Sequence, residues 1–162
     1  MRTSNIDRRS ANTEQKTLRA FTVKAHWGLL IRAGFKTVEN RNFRVPAGYY
    51  LVHCANRVTF AQWSVAKDWV SDRIGSQVPF PSYSECLEWR GCVCCGVHVV
   101  SVLTESADPW FMQGRVAWEL ERPVLCGCGI RARGGLGVWP VDSDVVRLMR
   151  RCETANKAKG AL

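Results

Sequence analysis

The sequence contains no apolar run approaching the roughly 20 residues that a bilayer-spanning helix requires. Its first residues, Met1-Arg2-Thr3-Ser4-Asn5, lead into polar residues with no apolar core of a secretory leader, so no export signal is expected. Asp7 and Glu14 speak against an organelle transit peptide, which is poor in acidic residues. There is no internal repeat, no low-complexity tract and no regular strand-helix-strand alternation. A solenoid and a doubly wound parallel sheet are therefore both disfavoured. Without export, the eight cysteines are expected to stay reduced and to behave as small apolar residues, not as a disulfide framework. Of cysteine pairs at the spacing typical of zinc sites, two to four residues between ligands, there is only Cys92 with Cys95. The other pairs in Cys92-x-Cys94-Cys95 and Cys126-x-Cys128 are tighter, and no metal site or cofactor is expected from them. In a regular strand Cys92 and Cys94 would share one face and Cys95 the other. Cys54 and His98 have only their residue types to recommend them as a catalytic pair.

What is present is a chain of 162 residues, 46% hydrophobic, long enough for one domain with its own core. The formal charge of +9 is unevenly spread. Residues 1–20 hold five basic and two acidic side chains, and residues 147–162 hold five and one. The 13 basic and 11 acidic residues between them nearly balance. Basic ends attract anionic partners, nucleic acid first among them. Residues 1–19 read as a polar, disordered arm, residues 20–141 as the folded domain, and residues 142–162 as a closing helix with a basic tail.

Within the domain, AFTVK (20–24), TVENRNF (37–43), YYLVHCA (49–55) and GCVCCGVHVVSVL (91–103) read as strands. So do RVAWEL (115–120) and VLCGC (124–128), separated by a break at Pro123. Helices are expected over 25–33, with Trp27, Leu30 and Ile31 on one face, and over 60–74, with Phe60, Trp63, Val70 and Ile74 on another. A short helical piece is expected at 84–89 and a last helix at 142–151. Residues 75–84 and 104–114 read as loops. Six or so short strands with two to three helices imply an α+β fold whose mixed sheet bends into a small barrel.

The stretch Gly34-Phe35-Lys36-Thr37-Val38-Glu39-Asn40-Arg41 carries the chemistry. Strand alternation places Thr37, Glu39, Arg41 and Phe43 on one face, and Lys36 at the strand's start can turn to the same side. Two cations and a carboxylate beside a helix can hold a phosphate or orient a polar ligand. Of the seven tryptophans, Trp63 and Trp69 are expected to pack a helix, whereas Trp27 and Trp118 are candidates for an apolar pocket wall. His26, as an ordinary residue near a helix start, would face solvent, from where it could touch a ligand phosphate or base.

The run His26-Trp27-Gly28 through Gly34-x-Lys36-Thr37-x-Glu39-x-Arg41 resembles the signature of the ASCH domain family. Tyr50–Ala55, Gly91-Cys92-Val93, Val116–Pro123 and Gly134-x-Leu136-Gly137-x-Trp139 follow in the order of that family, so the resemblance spans about residues 20–140. It implies a PUA-like β-barrel and a role with RNA or modified bases, in a cleft beside the Lys/Glu/Arg motif. Lys36 and Arg41 would then contact phosphate or a base carbonyl, and Glu39 would orient them or accept from a base amino group. His26, Trp27, Thr37 and Trp118 would complete the site, with Arg147, Arg150 and Arg151 as a basic periphery. Some members of the family are amidohydrolases acting on N4-acetylcytidine, through a lysine, a threonine three residues later and a distant glutamate. Lys36 matches the lysine, but Glu39 stands at the threonine position, so Lys36 and Glu39 are the groups available for catalysis if the chain is an enzyme. Ribonuclease activity and a purely protein-binding role are further expectations, and a cytoplasmic or nuclear location without membrane association is expected.

Overall fold

A computed structural model describes residues 17–160. The expected disordered arm lies outside the described residues up to position 16, and Thr17 and Leu18 lead directly into the first strand. The elements in chain order are β1 (Arg19–Val23), α1 (Ala25–Arg32), β2 (Val38–Arg41), β3 (Gly48–Cys54), α2 (Phe60–Arg73), α3 (Tyr83–Trp89), β4 (Cys92–Leu103), β5 (Val116–Arg131), β6 (Val138–Pro140) and α4 (Ser143–Gly160). The architecture is α+β, with four helices where two to three were expected. The six strands form one mixed sheet in the order β2-β5-β4-β3-β1-β6. Only β1 and β3 run parallel; the other neighbours are antiparallel. The sheet curls into a half-barrel that is not closed by a strand pair between β2 and β6. Side chains cross the gap instead: Arg41 of β2 donates from Nη2 to the Thr22 carbonyl of β1 at 2.7 Å.

Alternation along β1 and β3 separates two cores. Phe21, Val23, Val52 and Cys54 pack with Ile31, Val97 and Trp118 on one face. Ala20 and Leu51 point the other way and pack under α4 through Val145 and Met149. On the first face α1 lies close to the sheet because residue 28 is glycine. A Cβ at Gly28 would sit 2.8 Å from the Cys54 Sγ and 3.4 Å from the Cys94 Sγ. Helix α1 ends at Gly34, whose φ of 80° is costly for other residues. The Gly34 N–H donates to Ile31 and the Phe35 N–H to Leu30, satisfying the last carbonyls and swinging the chain into β2. Helices α2 and α3 each start with a capping box, Thr59 with Gln62 and Ser82 with Glu85.

Four local expectations need correction. The two strands expected around Pro123 are one strand, β5, because a bulge opposite Val97 absorbs Arg122 and Pro123. Arg122 takes a φ of 51° there, and the missing proline N–H costs no ladder bond. A second irregularity between Val93 and Cys95 breaks the cysteine alternation, so that Cys94 and Cys95 lie in one core with their sulfurs 3.9 Å apart. On α2 the apolar face is built on Ala66 and Val70, with Phe60 59% exposed. Finally, α4 continues nine residues past Arg151 to Gly160, tied back by Tyr49, which donates to Glu153 at 2.8 Å.

Candidate functional site

Lys36, Glu39 and Arg41 do converge, and they do so in the interior. Lys36 and Glu39 are 6% and 7% exposed. The Lys36 ammonium donates to the Glu39 Oε2 at 2.8 Å and to the Val38 carbonyl. Arg41 Nε lies 2.9 Å from Glu39 Oε1, near enough for an ion pair but without the alignment of a hydrogen bond. One carboxylate thus faces two cations, leaving a half-buried triad with a net charge of +1.

Lys36 and Glu39 line a cavity of about 590 Å³ between α1, α2 and residues 110–112. Its walls are aromatic. Trp27 stands nearly perpendicular to both Trp69 and Trp110, at centroid distances of 6.1 and 6.4 Å, while Trp69 and Trp110 lie 6.0 Å apart with their planes inclined by 38°. Lys36 Nζ is 6.0 Å from the centre of the Trp27 ring, within reach of a cation–π contact.

The segment carrying Trp110 is held in place from two sides. Asp108 accepts from the Trp110 N–H with one carboxylate oxygen and from the Thr37 hydroxyl with the other, both at 2.8 Å. Asn40 donates to the Trp110 carbonyl and accepts from the Met112 N–H, again at 2.8 Å. From α2, Arg73 donates to the carbonyls of Pro109 and Phe111 at 2.9 Å, with its guanidinium over the Trp69 ring. The aromatic wall therefore arises where β2, α2 and a loop distant in sequence are bolted together.

His26 departs from expectation. It is 2% exposed, at the cavity edge and covered by Trp27 and Phe80 at centroid distances of 4.6 and 5.9 Å. Its Nδ1 is buried with no hydrogen-bond partner. Burial, helped by the Lys24 ammonium, lowers its pKa to about 4, so the ring is neutral at pH 7.

Of the other expected site residues, Trp27 lines the cavity and Thr37 does not, because its hydroxyl is turned to Asp108. Arg41 acts from behind, through Glu39, clasped between Phe21 and Trp118 at 5.6 and 5.5 Å from their rings. Trp118 is not a wall: it is 0% exposed, and its indole N–H donates to the Phe43 carbonyl at 3.0 Å. Arg147, Arg150 and Arg151 lie on α4, against the opposite face of the sheet, and border a different hollow with Tyr49 and Glu153. Trp69, Trp110, Asn40 and Asp108 were missed. The one local signal for them was a tryptophan directly after an Asp-Pro turn, since a large aromatic in a loop must be held by partners that a linear pattern does not show.

Among the described residues no group of three or more His, Cys, Asp or Glu side chains could hold a metal ion. Cys126 is buried against Met149 while Cys128 is exposed, so the two close-spaced cysteine pairs do not bracket a common point. No described helix is long and apolar enough to cross a membrane.

With the half-barrel, four helices and interior triad in place, the chain can be set beside known proteins. No family model matches the sequence, and no curated protein matches it. Among solved structures, the chain is similar to the crystal structure of ASCH from Zymomonas mobilis, with a TM-score of 0.48 and 10% identity over 83% of this chain and 94% of that one.

Proposed function

We propose that the chain binds RNA or a nucleotide by taking one unstacked base into the tryptophan-lined cavity. The observation that carries this reading is the meeting of Trp27, Trp69 and Trp110 over the buried Lys36–Glu39 pair. Stacking against aromatic faces supplies affinity that is indifferent to base identity, about 1–3 kcal/mol per base. The polar floor supplies discrimination. The Lys36 ammonium has three hydrogens and uses two, so one remains for a ligand acceptor. A net positive triad at the floor of an aromatic-walled pocket favours a group with partial negative charge, such as a base keto oxygen. A cavity of this volume lies within the ~300–1,000 Å³ common for small-ligand sites.

This reading differs from direct capture of a phosphate by Lys36 and Arg41, whose charges are already engaged by Glu39. The test is a titration of single nucleosides and nucleotides, read by intrinsic tryptophan fluorescence and by calorimetry. Trp69→Ala is expected to weaken binding by roughly 5- to 150-fold, the equivalent of one lost stacking contact. Unchanged affinity in Trp69→Ala and in Trp110→Ala would remove the cavity from the account. Mass spectrometry of the same mixtures shows whether a bound nucleoside is also altered, which would assign Lys36 and Glu39 a chemical step.

A further inference from the structure

A second hollow, of about 790 Å³, lies beside the aromatic cavity and differs from it in character. Lys24 lines the aromatic cavity, and its ammonium donates to the Arg57 carbonyl at 3.2 Å; Arg57 in turn lines the second hollow. The two therefore share a rim. The second hollow is bordered by Arg57, Arg131 and Arg133 with Asn56, and no carboxylate is among its lining residues. None of the three guanidinium groups forms an ion pair with a described residue.

Its floor is rigid. His53, 2% exposed, approaches the Ala132 carbonyl with Nε2 at 3.0 Å and the Thr22 hydroxyl with Nδ1 at 3.3 Å. The Trp139 indole N–H donates to the same hydroxyl at 3.1 Å. Backbone bonds from Gly91 to Cys54 and from Ala132 to Gly91 lock the strand ends together. Gly91 has a φ of 70°, and a Cβ there would meet the Asn56 Oδ1 at 3.2 Å and the Arg131 Nη1 at 3.3 Å. Glycine at this position thus lets an amide and a guanidinium crowd one corner.

We propose that this hollow is a phosphodiester site, which holds the backbone flanking the base seated in the aromatic cavity. The inference rests on that base-binding reading for the identity of the polymer, though not for the anion chemistry. Three guanidinium groups without a carboxylate partner, of which Arg131 also donates from Nη1 to the Arg90 carbonyl at 2.9 Å, suit the forked hydrogen bonds that phosphate oxygens accept. The shared rim at Lys24 and Arg57 lets a single strand run from one hollow to the other. The ligand is then a strand with at least one phosphate beside the captured base, in preference to a free nucleoside.

The experiment uses the full chain, with two fluorescein-labelled single-stranded decamers: a degenerate RNA and an abasic ribose-phosphate oligomer of equal length. Anisotropy is measured over a salt series for wild type, Arg57→Ala/Arg133→Ala and Trp69→Ala. Both arginines are exposed, and an unchanged melting temperature verifies that the variants fold. The arginine variant is expected to weaken binding of both decamers at least tenfold. Its slope of log affinity against log salt should shrink by about 1.4, the value for two lost single-strand phosphate contacts. Nucleoside quenching in the aromatic cavity should be unchanged. Trp69→Ala should weaken the RNA and spare the abasic oligomer. Equal affinities and slopes for wild type and the arginine variant would overturn the phosphodiester site and leave the cavity reading standing. Arginine-dependent binding of the abasic oligomer without nucleoside quenching would uphold the anion site while the cavity reading fails.

Discussion

Acid should unfold this protein early, and His26 sets where. A histidine free in solution titrates near 6.5, and burial beside Lys24 lowers His26 to about 4. Between those values the unfolded chain holds a proton on His26 that the folded chain refuses. Stability is therefore complete above pH 6.5 and is lost as pH falls from 6.5 toward 4. At 1.36 kcal/mol per pKa unit the full loss is about 3.4 kcal/mol, of which about 2.5 kcal/mol is gone by pH 4.5. That is a large share of the ~5–15 kcal/mol by which domains are stable. His53, whose pKa burial also lowers, acts in the same direction. To isolate His26, urea unfolding is compared between wild type and His26→Phe at pH 7.5, 6, 5 and 4.5. The carboxylates and His53 contribute to both proteins and cancel in the difference. Phenylalanine keeps a ring against Trp27 and Phe80, removes the titration and removes the unpartnered nitrogen. The wild type should lose about 2.5 kcal/mol more than the variant from pH 7.5 to 4.5. Parallel pH profiles for the two proteins would refute the argument, by showing that the folded state admits a proton at His26 at little cost.

Lys36→Met removes one partner of a buried pair and should cost about 3–5 kcal/mol by urea denaturation, since Glu39 loses its closer cation. A loss under 1 kcal/mol would mean that solvent reaches the triad freely. Gly28→Ala places a methyl 2.8 Å from the Cys54 sulfur and should lower stability by about 1–3 kcal/mol, visible as a reduced melting temperature. Titration with a thiol reagent in native buffer should modify exposed Cys128 first. Cys54, Cys86, Cys94 and Cys126 should wait for unfolding: all four are buried free thiols, and burial raises the thiol pKa values of Cys86 and Cys126 to about 12. Simultaneous modification of all of these in the native protein would contradict the packing described.

The parts of this molecule that a linear reading reached are those set by neighbours in sequence. The helix stop at Gly34 and the meeting of Lys36, Glu39 and Arg41 depend on spacings of two to five residues, and both are present. Alternation failed where the ladder absorbs extra residues, at Pro123 and at Cys94, because a bulge is set by the partner strand. Helix α4 runs beyond Arg151 because Tyr49 and the Leu125 carbonyl hold its later turns, the latter through Asn156, partners that lie far back in the chain. The site was half legible for the same reason. Trp27 and the triad lie within one stretch of 15 residues, whereas Trp69 and Trp110 are held against them with the help of Arg73, Asp108 and Asn40. Two of the misplaced residues are instructive in opposite ways. His26 was expected in solvent and is buried, because Phe80 of a distant loop covers it. Trp118 was expected in the wall and is buried beneath Arg41, where it supports the triad from the interior.

The most direct test is photocrosslinking of the full chain to a single-stranded RNA containing 4-thiouridine, followed by peptide mass spectrometry to locate the adduct. The account predicts nucleotide adducts on the peptides that carry Trp27, Trp69 or Trp110, depleted in Trp69→Ala. Adducts confined to α4 or to residues 1–16, with the tryptophan peptides unmodified, would contradict it: the RNA would then be held by basic ends alone, and the aromatic cavity would have to serve another ligand.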